Sequence, residues 1–427
     1  MPEPERRRSR RNDQPASGLT FPCATLIDMT SPSSKPHLVI VTSRFPWPLD
    51  HGFTMWNYWL IRLLSERFRI SLHVLGSADP GEKALSELAP YCAKIESHRV
   101  SRMARIVSLA RSLFTGEPFQ VALFRSGAAG QSIARDLQTA DAALSMAARA
   151  APYIAKFRGP RLVMLADSIG QSYLRNATTA RSALWRFIYN VEGKRMVRYE
   201  EQLARDSQAC FLFNESEAEA LRRSGNVLTV PYGVGPHLFD VQDTGSRYAN
   251  GVVIFGKMNY PPNVDSAMWF IDQVLPLLKP EVRLYLVGGH PIKELEQVAR
   301  TNPRVEVTGF VDDPYPDLRG AIASVCPVRM GGGIQTKVVE SLAVGAPTII
   351  STMAAIPLKN LPDSGLVVCG TPEQWAHAIE EMRMAPDQAK EAALAGRAYA
   401  KAHFSWFALA AVVEQEIMKS MSPRTTP

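Results

Sequence analysis

Short apolar runs alternate with helical patterns along most of the chain, and this alternation limits the possible folds more than any other feature of the sequence. The runs have the length of buried strands, and strands that alternate with helices form parallel sheets covered on both faces. A first series of predicted strands comprises residues 38–41, 70–75, 142–146, 162–165, 209–213 and 227–230. A second series comprises residues 252–255, 283–287, 305–307, 323–328, 348–351 and 366–368.

A Pro/Gly-rich segment at residues 231–236 separates the two series, and 427 residues are too many for one ordinary core. We therefore predict an α/β fold of two Rossmann-like domains whose parallel sheets face each other across a cleft. Ligands in such folds bind beyond the carboxyl ends of the strands. The predicted divisions are a disordered basic tail and linker (1–36), a first Rossmann-like domain (37–236), a second Rossmann-like domain (250–402) and a C-terminal helix (403–427), for which a return to the first domain is one option.

Composition excludes several classes of protein. The chain is 46% hydrophobic and 21% charged, as in soluble globular proteins, and its apolar runs are too short to span a membrane. Its five cysteines are scattered without a CxxC pair, so we expect neither a disulfide framework nor a zinc site, and a cytoplasmic location. The basic start, MPEPERRRSRRN, lacks the apolar segment of a signal peptide and is typical of a solvated tail. No array of basic and aromatic residues indicates nucleic-acid binding.

The segment GGGIQTKVVESLAVGAP, residues 331–347, carries the strongest chemical signal. Three glycines (Gly331, Gly332, Gly333) lie between a predicted strand and a helix that we expect to begin near Ile334. Glycine lets backbone N–H groups approach a ligand, and a helix N-terminus attracts anions. Lys337 and Glu340 follow on one side of that helix. A cation for phosphate oxygens and a carboxylate for ribose hydroxyls would suit a nucleoside diphosphate.

The alternative for this segment is a flexible loop followed by a solvated Lys–Glu pair. It is not a Walker A loop, because no GK[ST] follows the glycines. It also differs from an NAD fingerprint, which would follow the first strand of a domain rather than a late one.

Other candidate residues follow predicted strands at the same edges. Lys257 follows a predicted strand and, from the residues alone, could be an ordinary solvated lysine. His51 and Gly52 lie in a loop where Gly52 could present its N–H to a phosphate and His51 is a candidate catalytic residue, or the loop could simply form a turn. Asp167 could act as a base toward an acceptor hydroxyl, or it could cap the next helix. The adjacent pair Asp312–Asp313 precedes a proline and indicates a turn rather than a metal site.

Residues 94–124 combine arginines with apolar residues. This pattern is typical either of a solvated helix face or of an amphipathic surface on anionic lipid. Peripheral contact with the inner membrane face is therefore one option, and it would suit a lipid-linked acceptor.

Several segments, in order, resemble family four of the glycosyltransferases, which have the GT-B fold. These are RFPWPLDHG (44–52), ESE (215–217), TVPYGV (229–234), VIFGK (253–257), NYPPN (259–263), VTGF (307–310) and the segment at 331–347. The NYPPN segment resembles an exopolysaccharide-type subgroup. The resemblance implies retaining transfer of a sugar from a UDP- or GDP-sugar to an acceptor hydroxyl, without a metal or cofactor.

The resemblance makes residues 37–236 the acceptor-binding domain and residues 250–402 the nucleotide-sugar-binding domain. It also assigns residues to the donor, and it implies that Lys257 contacts the donor diphosphate. The base-binding loop of the family corresponds to Phe310 and Val311, and its ribose-binding glutamate corresponds to Glu340. The sequence departs from the family pattern at Gly332, where the family often has a first glutamate, and at Gly235, where it has aspartate. The resemblance therefore does not assign the residues that bind the transferred sugar.

Two other functions are compatible with the same residues. A nucleotide-sugar epimerase would need carboxylates placed for elimination chemistry, and few candidates face the predicted cleft. A non-catalytic subunit that only binds a nucleotide-sugar would fit the absence of the first glutamate. The acceptor, whether lipid-linked or a small molecule, is not identified by the sequence.

Overall fold

The computed structural model describes residues 35–49, 52–76, 80–179, 182–242, 247–330, 333–358, 361 and 365–422. The basic tail predicted at residues 1–36 lies almost wholly outside this part of the chain. Within it, thirteen strands form two all-parallel sheets, one of seven strands and one of six. The predicted pair of Rossmann-like halves with parallel sheets is confirmed.

The first half contains β1–β7 and α1–α8. Its strands are β1 His37–Thr42, β2 Arg69–Leu75, β3 Lys94–His98, β4 Ala142–Ser145, β5 Arg161–Ala166, β6 Ala209–Leu212 and β7 Val227–Thr229. Its helices are α1 Gly52–Leu64, α2 Glu82–Leu88, α3 Arg102–Thr115, α4 Phe119–Ala122, α5 Gly127–Leu137, α6 Ile169–Thr179, α7 Ala183–Asp206 and α8 Glu215–Arg222. The strand order is β3-β2-β1-β4-β5-β6-β7.

The second half contains β8–β13 and α9–α16. Its strands are β8 Gly251–Phe255, β9 Arg283–Val287, β10 Val305–Gly309, β11 Ala323–Cys326, β12 Thr348–Ser351 and β13 Val367–Cys369. Its helices are α9 Pro261–Trp269, α10 Lys293–Thr301, α11 Tyr315–Gly320, α12 Thr336–Val344, α13 Thr352–Ala355, α14 Pro372–Met384, α15 Pro386–His403 and α16 Trp406–Met421. The strand order is β10-β9-β8-β11-β12-β13.

One hydrophobic cluster joins the two halves. It runs from the first sheet through Tyr232, in the linker after β7, to residues of the second half and to Trp406 of α16. The Tyr232 ring lies 5.0 Å from the Trp406 ring and 5.1 Å from the Phe213 ring. Helix α16 also packs against α1 of the first half. The C-terminal helix and the linker thus hold the two halves together.

The structure corrects three local predictions. The predictions missed β3, because this edge strand of the sheet mixes charged and apolar residues. Residues 94–124 comprise β3, α3 and α4 rather than one amphipathic stretch. The sequence pattern of residues 264–278 predicts one helix, but α9 gives way to a π-helical turn at Phe270–Val274 and a 3₁₀ turn at Leu275–Leu277. Pro276 offers no N–H there to continue the helix.

In the described part of the chain, no helix is both long enough and apolar enough to cross a membrane.

Candidate functional site

The N-termini of two helices meet between the halves, at the carboxyl edges of both sheets. Gly52 begins α1, and Thr336 begins α12. A Cβ placed on Gly52 would lie 3.2 Å from Cγ2 of Thr336 and 3.2 Å from the Tyr232 hydroxyl oxygen. The positive ends of two helix dipoles therefore converge on one region, which favours an anion there.

The N-terminus of α12 is available to a ligand. Its N-cap residue, Gln335, is extended and makes no side-chain capping hydrogen bond. The helix begins at Thr336 rather than near Ile334, which places Lys337 at its second position. Ile334 lies just before the cap and packs against the core cluster. Free N–H groups at a helix start, next to a lysine, suit phosphate oxygens.

Asn263 fixes Lys337 in this region. The Lys337 ammonium group donates a hydrogen bond to Oδ1 of Asn263, and Nδ2 of Asn263 donates to the backbone carbonyl of Lys257, 3.0 Å away. Asn263 is buried near the start of α9. One amide therefore connects α12 to the loop after β8 and brings the two predicted lysines into the same region. Site prediction from the sequence missed Asn263, although NYPPN had been noted as a motif.

Glu340 lies one turn further along α12 and is buried. Burial raises the pKa of its carboxyl group to about 7, against the opposing effects of the nearby Lys337 charge and a hydrogen bond with Tyr315. Glu340 and Lys337 therefore interact, but the pair is not a solvated one on the helix surface. A buried carboxylate with few partners can accept hydrogen bonds from ligand hydroxyl groups.

Phe310 and Val311 follow β10 at the carboxyl edge of the second sheet. The Phe310 side chain is 76% exposed, whereas Val311 is half-buried against the core. A Cβ on Gly289, in the loop after β9, would lie 3.6 Å from the Phe310 Cβ. These two loops therefore meet and leave a large exposed ring, which can stack on a flat ligand.

Asp167 approaches the second half from the end of β5. A Cβ on Gly333 would lie 3.0 Å from Oδ1 of Asp167, so only glycine fits there without displacing the carboxylate. Asp167 is exposed, but protein atoms of both halves crowd its side chain. This desolvation and the charge of Glu217 raise its pKa to about 6, while Arg175 opposes the shift.

The structure excludes the role of helix cap for Asp167. The hydroxyl of Ser168 accepts the capping hydrogen bond from the Gln171 N–H at 3.1 Å. The buried carboxylates of Glu217 and Glu200 accept from the N–H groups of Ser168 (2.7 Å) and Gly170 (3.1 Å). Within the described residues, no group is recorded as a hydrogen-bond donor to Asp167. Its carboxylate therefore remains available at the cleft.

Three predicted site residues, His51, Gly331 and Gly332, lie outside the described residues. Of the others, Gly52, Gly333, Ile334, Lys337 and Glu340 lie on or beside the two helix N-termini, and Lys257 joins them through Asn263. Phe310 and Val311 lie in the loop after β10, at the carboxyl edge of the second sheet. Asp313 accepts a hydrogen bond from the Tyr315 N–H at 3.1 Å at the start of α11, as expected for a turn.

One group of possible metal ligands stands out among the described residues, at the β2–β3 edge of the first sheet. It consists of His73, Glu96 and His98. The two rings are already at hydrogen-bonding distance, 3.0 Å from Nδ1 of His73 to Nε2 of His98, and Nε2 of His73 lies 2.9 Å from the Asp136 carboxylate. Lys94 pairs with both carboxylates. These groups satisfy one another, and the expectation that no metal is needed stays a prediction.

Two parallel sheets that are covered by helices and separated by a cleft are the features of a GT-B fold. Solved structures share this architecture. Sucrose-phosphate synthase from Thermosynechococcus elongatus is similar over 90% of this chain and 98% of its own, with a TM-score of 0.66 and 17% identity. HepE of Anabaena, solved in complex with UDP, is similar over 90% of this chain and 100% of its own, with a TM-score of 0.63 and 13% identity.

Sequence comparison identifies the family of the second half. Residues 249–383 match the family described as "Glycosyl transferases group 1". A GDP-mannose-dependent alpha-(1-6)-phosphatidylinositol dimannoside mannosyltransferase of Mycobacterium tuberculosis is 26% identical over 176 residues, which are 38% of this chain and 45% of that protein. The match thus spans less than half of that relative. Residues 249–383 thus match a group 1 glycosyltransferase domain, and the described chain has the GT-B fold, as predicted, whereas the exopolysaccharide-type subgroup stays a prediction.

Proposed function

We propose that this protein is a glycosyltransferase that moves a sugar from a UDP- or GDP-sugar to an acceptor hydroxyl group. The observation that carries the proposal is the uncapped N-terminus of α12, with Lys337 and the buried Glu340, facing Asp167 of the other half. The family of the second half supports it. So do the relatives, because the mycobacterial protein is named for its use of GDP-mannose and the HepE structure holds UDP.

In the proposed donor complex, the diphosphate lies between the N-termini of α1 and α12. The N–H groups at Gly52 and around Gly333, together with Lys337, offset its charge. Glu340 accepts hydrogen bonds from the ribose hydroxyls, and Phe310 and Val311 border the base. Lys257 adds a second cation at the diphosphate edge.

The proposed reaction breaks the bond between the anomeric carbon and the diphosphate oxygen, and the diphosphate leaves with the electron pair. The acceptor oxygen bonds to the anomeric carbon with retention, and its proton passes to Asp167. A pKa of about 6 leaves Asp167 mostly ionised at pH 7.5, as a base requires. His51 precedes Gly52 in sequence, and we keep it as a candidate acceptor contact.

Calorimetry with UDP and GDP, followed by a screen of UDP- and GDP-sugars for release or transfer of sugar, tests this function. We expect one nucleotide to bind and one donor to be consumed. Binding without turnover would favour a non-catalytic subunit, and release of epimerised sugar would favour an epimerase. Asp167→Asn should lower kcat by about 100-fold or more with little effect on nucleotide affinity. Unchanged kcat would assign the proton to a donor phosphate oxygen instead.

We also propose that α3 places the first half on anionic lipid, which suits a lipid-linked acceptor at the inner membrane face. Its apolar side chains are exposed rather than packed, with Phe114 91% exposed and Ile106 61% exposed. The helix contains three arginines, at positions 102, 105 and 111, and no acidic residue. Exposed apolar and basic side chains on one helix match an anionic membrane surface.

Sedimentation with phosphatidylglycerol vesicles tests this contact. We expect binding that salt weakens, and Phe114→Asp combined with Ile106→Asp should reduce it by about tenfold. Leu394→Asp on α15, where the leucine is 56% exposed, is the matched control. Equal binding to phosphatidylcholine vesicles, or no effect of the α3 double variant, would contradict the proposal.

A further inference from the structure

A pocket of about 390 Å³ lies in the first half beside Asp167. Its walls include Arg149, which follows β4, and Ser172 and Tyr173 from the first turns of α6. The Tyr173 hydroxyl is already engaged, because it accepts a hydrogen bond from Nε2 of Gln120 at 2.7 Å. The pocket therefore opens at the carboxyl edge of the first sheet, next to the proposed base.

Arg149 is the basic residue among the walls of this pocket, and it lacks a matching partner. Its Nε is buried and has no hydrogen-bond partner, and no described carboxylate lies within ion-pair distance of it. The guanidinium group lies over the ring of Phe124, 5.3 Å from the ring centre. An aromatic face compensates only part of the charge of a buried guanidinium group.

The surroundings of Arg149 make the missing partner an anion. Burial lowers the pKa of Arg149, the nearby Tyr173 opposes this shift, and the nearby Arg44 adds to it by repulsion. The buried acidic groups near α6 do not serve it. Glu217 pairs with Arg175, Glu192 pairs with Arg195, and Glu200 accepts hydrogen bonds from Ser168 and Gly170. A planar guanidinium group that is short of acceptors matches a phosphate in geometry and in charge.

We propose that this pocket binds a phosphate group of the acceptor through Arg149, so that the hydroxyl group to be glycosylated points toward Asp167. This inference rests on the proposed glycosyltransferase function and specifies the chemical class of the acceptor as a phosphate ester. The phosphate can belong to a soluble sugar phosphate or to a lipid-linked acceptor, and the two sources share the same recognition chemistry.

Calorimetric titration with inorganic phosphate tests the pocket. The donor site is first filled with whichever of UDP and GDP binds, so that phosphate cannot occupy the N-terminus of α12. We expect saturable binding by the natural protein and at least tenfold weaker binding by Arg149→Gln. Arg149→Lys should bind phosphate with intermediate affinity, because lysine keeps the positive charge but lacks the planar set of N–H donors of a guanidinium group. Arg62→Gln is the control, since Arg62 also lies over an aromatic ring in the first half but is exposed.

A soluble hexose phosphate and a long-chain alkyl phosphate in detergent micelles then separate the two sources. Tighter binding of one, lost in Arg149→Gln, identifies the source. In turnover with the better ligand as acceptor, Arg149→Gln should raise its KM at least tenfold and leave the KM of the donor unchanged.

Absence of phosphate binding, or equal binding by the Arg149→Gln and Arg62→Gln variants, would overturn the proposal. If neither UDP nor GDP binds, the proposed function itself fails. The phosphate titration is then run in the Lys337→Ala variant. If adding Arg149→Gln to this variant abolishes phosphate binding, the pocket is an anion-binding site even though the protein is not a transferase. Unfolding temperatures of all variants identify any that fail to fold.

Discussion

The N-termini of α6 and α12 each lie at the carboxyl edge of a sheet, but they are completed differently. At α6, the protein supplies its own anions, because Glu217 and Glu200 accept hydrogen bonds from the N–H groups of Ser168 and Gly170. At α12, the cap residue Gln335 provides no side-chain acceptor. An N-terminus filled with buried carboxylates stabilises the fold, whereas one left open beside a lysine must obtain its anion from a ligand.

The same difference appears in the charges around each helix start. The carboxylates at α6 are held by several hydrogen bonds, including 2.6 Å from the Ser168 hydroxyl to Glu200 and 2.9 Å from Arg175 to Glu217. At α12, the cation Lys337 is held by a neutral amide, that of Asn263. Among the described residues, no carboxylate lies within ion-pair distance of the Lys337 ammonium group, so it can bind the anion of a ligand. The N-terminus of α6 is built for stability, and the N-terminus of α12 is built for binding.

Removal of the anion at α6 should have the largest effect on stability. Glu217→Ala leaves the Ser168 N–H and Arg175 without their acceptor, so we expect the free energy of unfolding to fall by about 3 kcal/mol in urea denaturation. Glu219→Ala is the control on the same helix, because Glu219 forms an exposed pair with Arg222 and should contribute less than about 0.5 kcal/mol. Similar losses in both variants would show that the α6 carboxylates are not structural caps.

Glu340→Gln should stabilise the unliganded protein in a pH-dependent way. The pKa of Glu340 is about 7 in the folded protein and about 4.5 ordinarily, so the folded state holds this proton more tightly. Ionisation of Glu340 therefore lowers the free energy of unfolding as pH rises from 4.5 through 7. Glutamine avoids that loss, and we expect a gain of roughly 2 kcal/mol at pH 8 that disappears at pH 4.

Thermal and urea unfolding of Glu340→Gln at both pH values measures this gain, with Glu294→Gln on the surface of α10 as control. The same variant should bind UDP or GDP more weakly. A stabilised protein with lower affinity would show that Glu340 is kept for its ligand at a cost in stability. No difference between pH 4 and pH 8 would contradict the buried, ionisable state of Glu340.

Lys337→Ala separates binding from folding at α12. Loss of one charge-assisted hydrogen bond to the diphosphate should weaken nucleotide affinity about tenfold, or about 1.4 kcal/mol, in calorimetry. Unfolding temperature should change little, because the partner left behind is a neutral amide. Lys293→Ala, an exposed lysine of α10, is the matched control. Unchanged affinity for both nucleotides in Lys337→Ala would remove this residue from the donor site.

The sequence predicted the fold because most strands of both series consist largely of apolar residues over the length of a buried strand. It failed at β3, where Lys94, Glu96 and His98 are polar, since an edge strand need not be apolar on both sides. The alternation also indicated that Asp167 and Gly333 lie at carboxyl edges. Their approach across the cleft could not be predicted, because it depends on how the linker and α16 hold the two halves.

The donor residues show the same limit. Glycines before a helix with Lys337 and Glu340 could be recognised from spacing within one segment. Asn263 could not be recognised in this way, because it lies 74 residues from Lys337 in the chain. Its amide can connect α12 to the loop after β8 only once these two elements have folded against each other. Arg149 was missed for a related reason. A lone arginine after a strand is unremarkable until its burial and its lack of a carboxylate partner are known.

The smallest effect comes from giving α12 the kind of cap that α6 already has. Gln335 is extended, with φ −82° and ψ 106°, a conformation in which an aspartate side chain can accept from the N–H groups of the first turn. Gln335→Asp should therefore raise the free energy of unfolding by about 1 kcal/mol and weaken UDP or GDP binding severalfold, since the protein's own carboxylate would occupy the place of the phosphate. Gln335→Asn supplies a similar cap without the charge and should keep more of the affinity. If Gln335→Asp stabilised the helix and left nucleotide affinity intact, the diphosphate would have to bind elsewhere than at the N-terminus of α12.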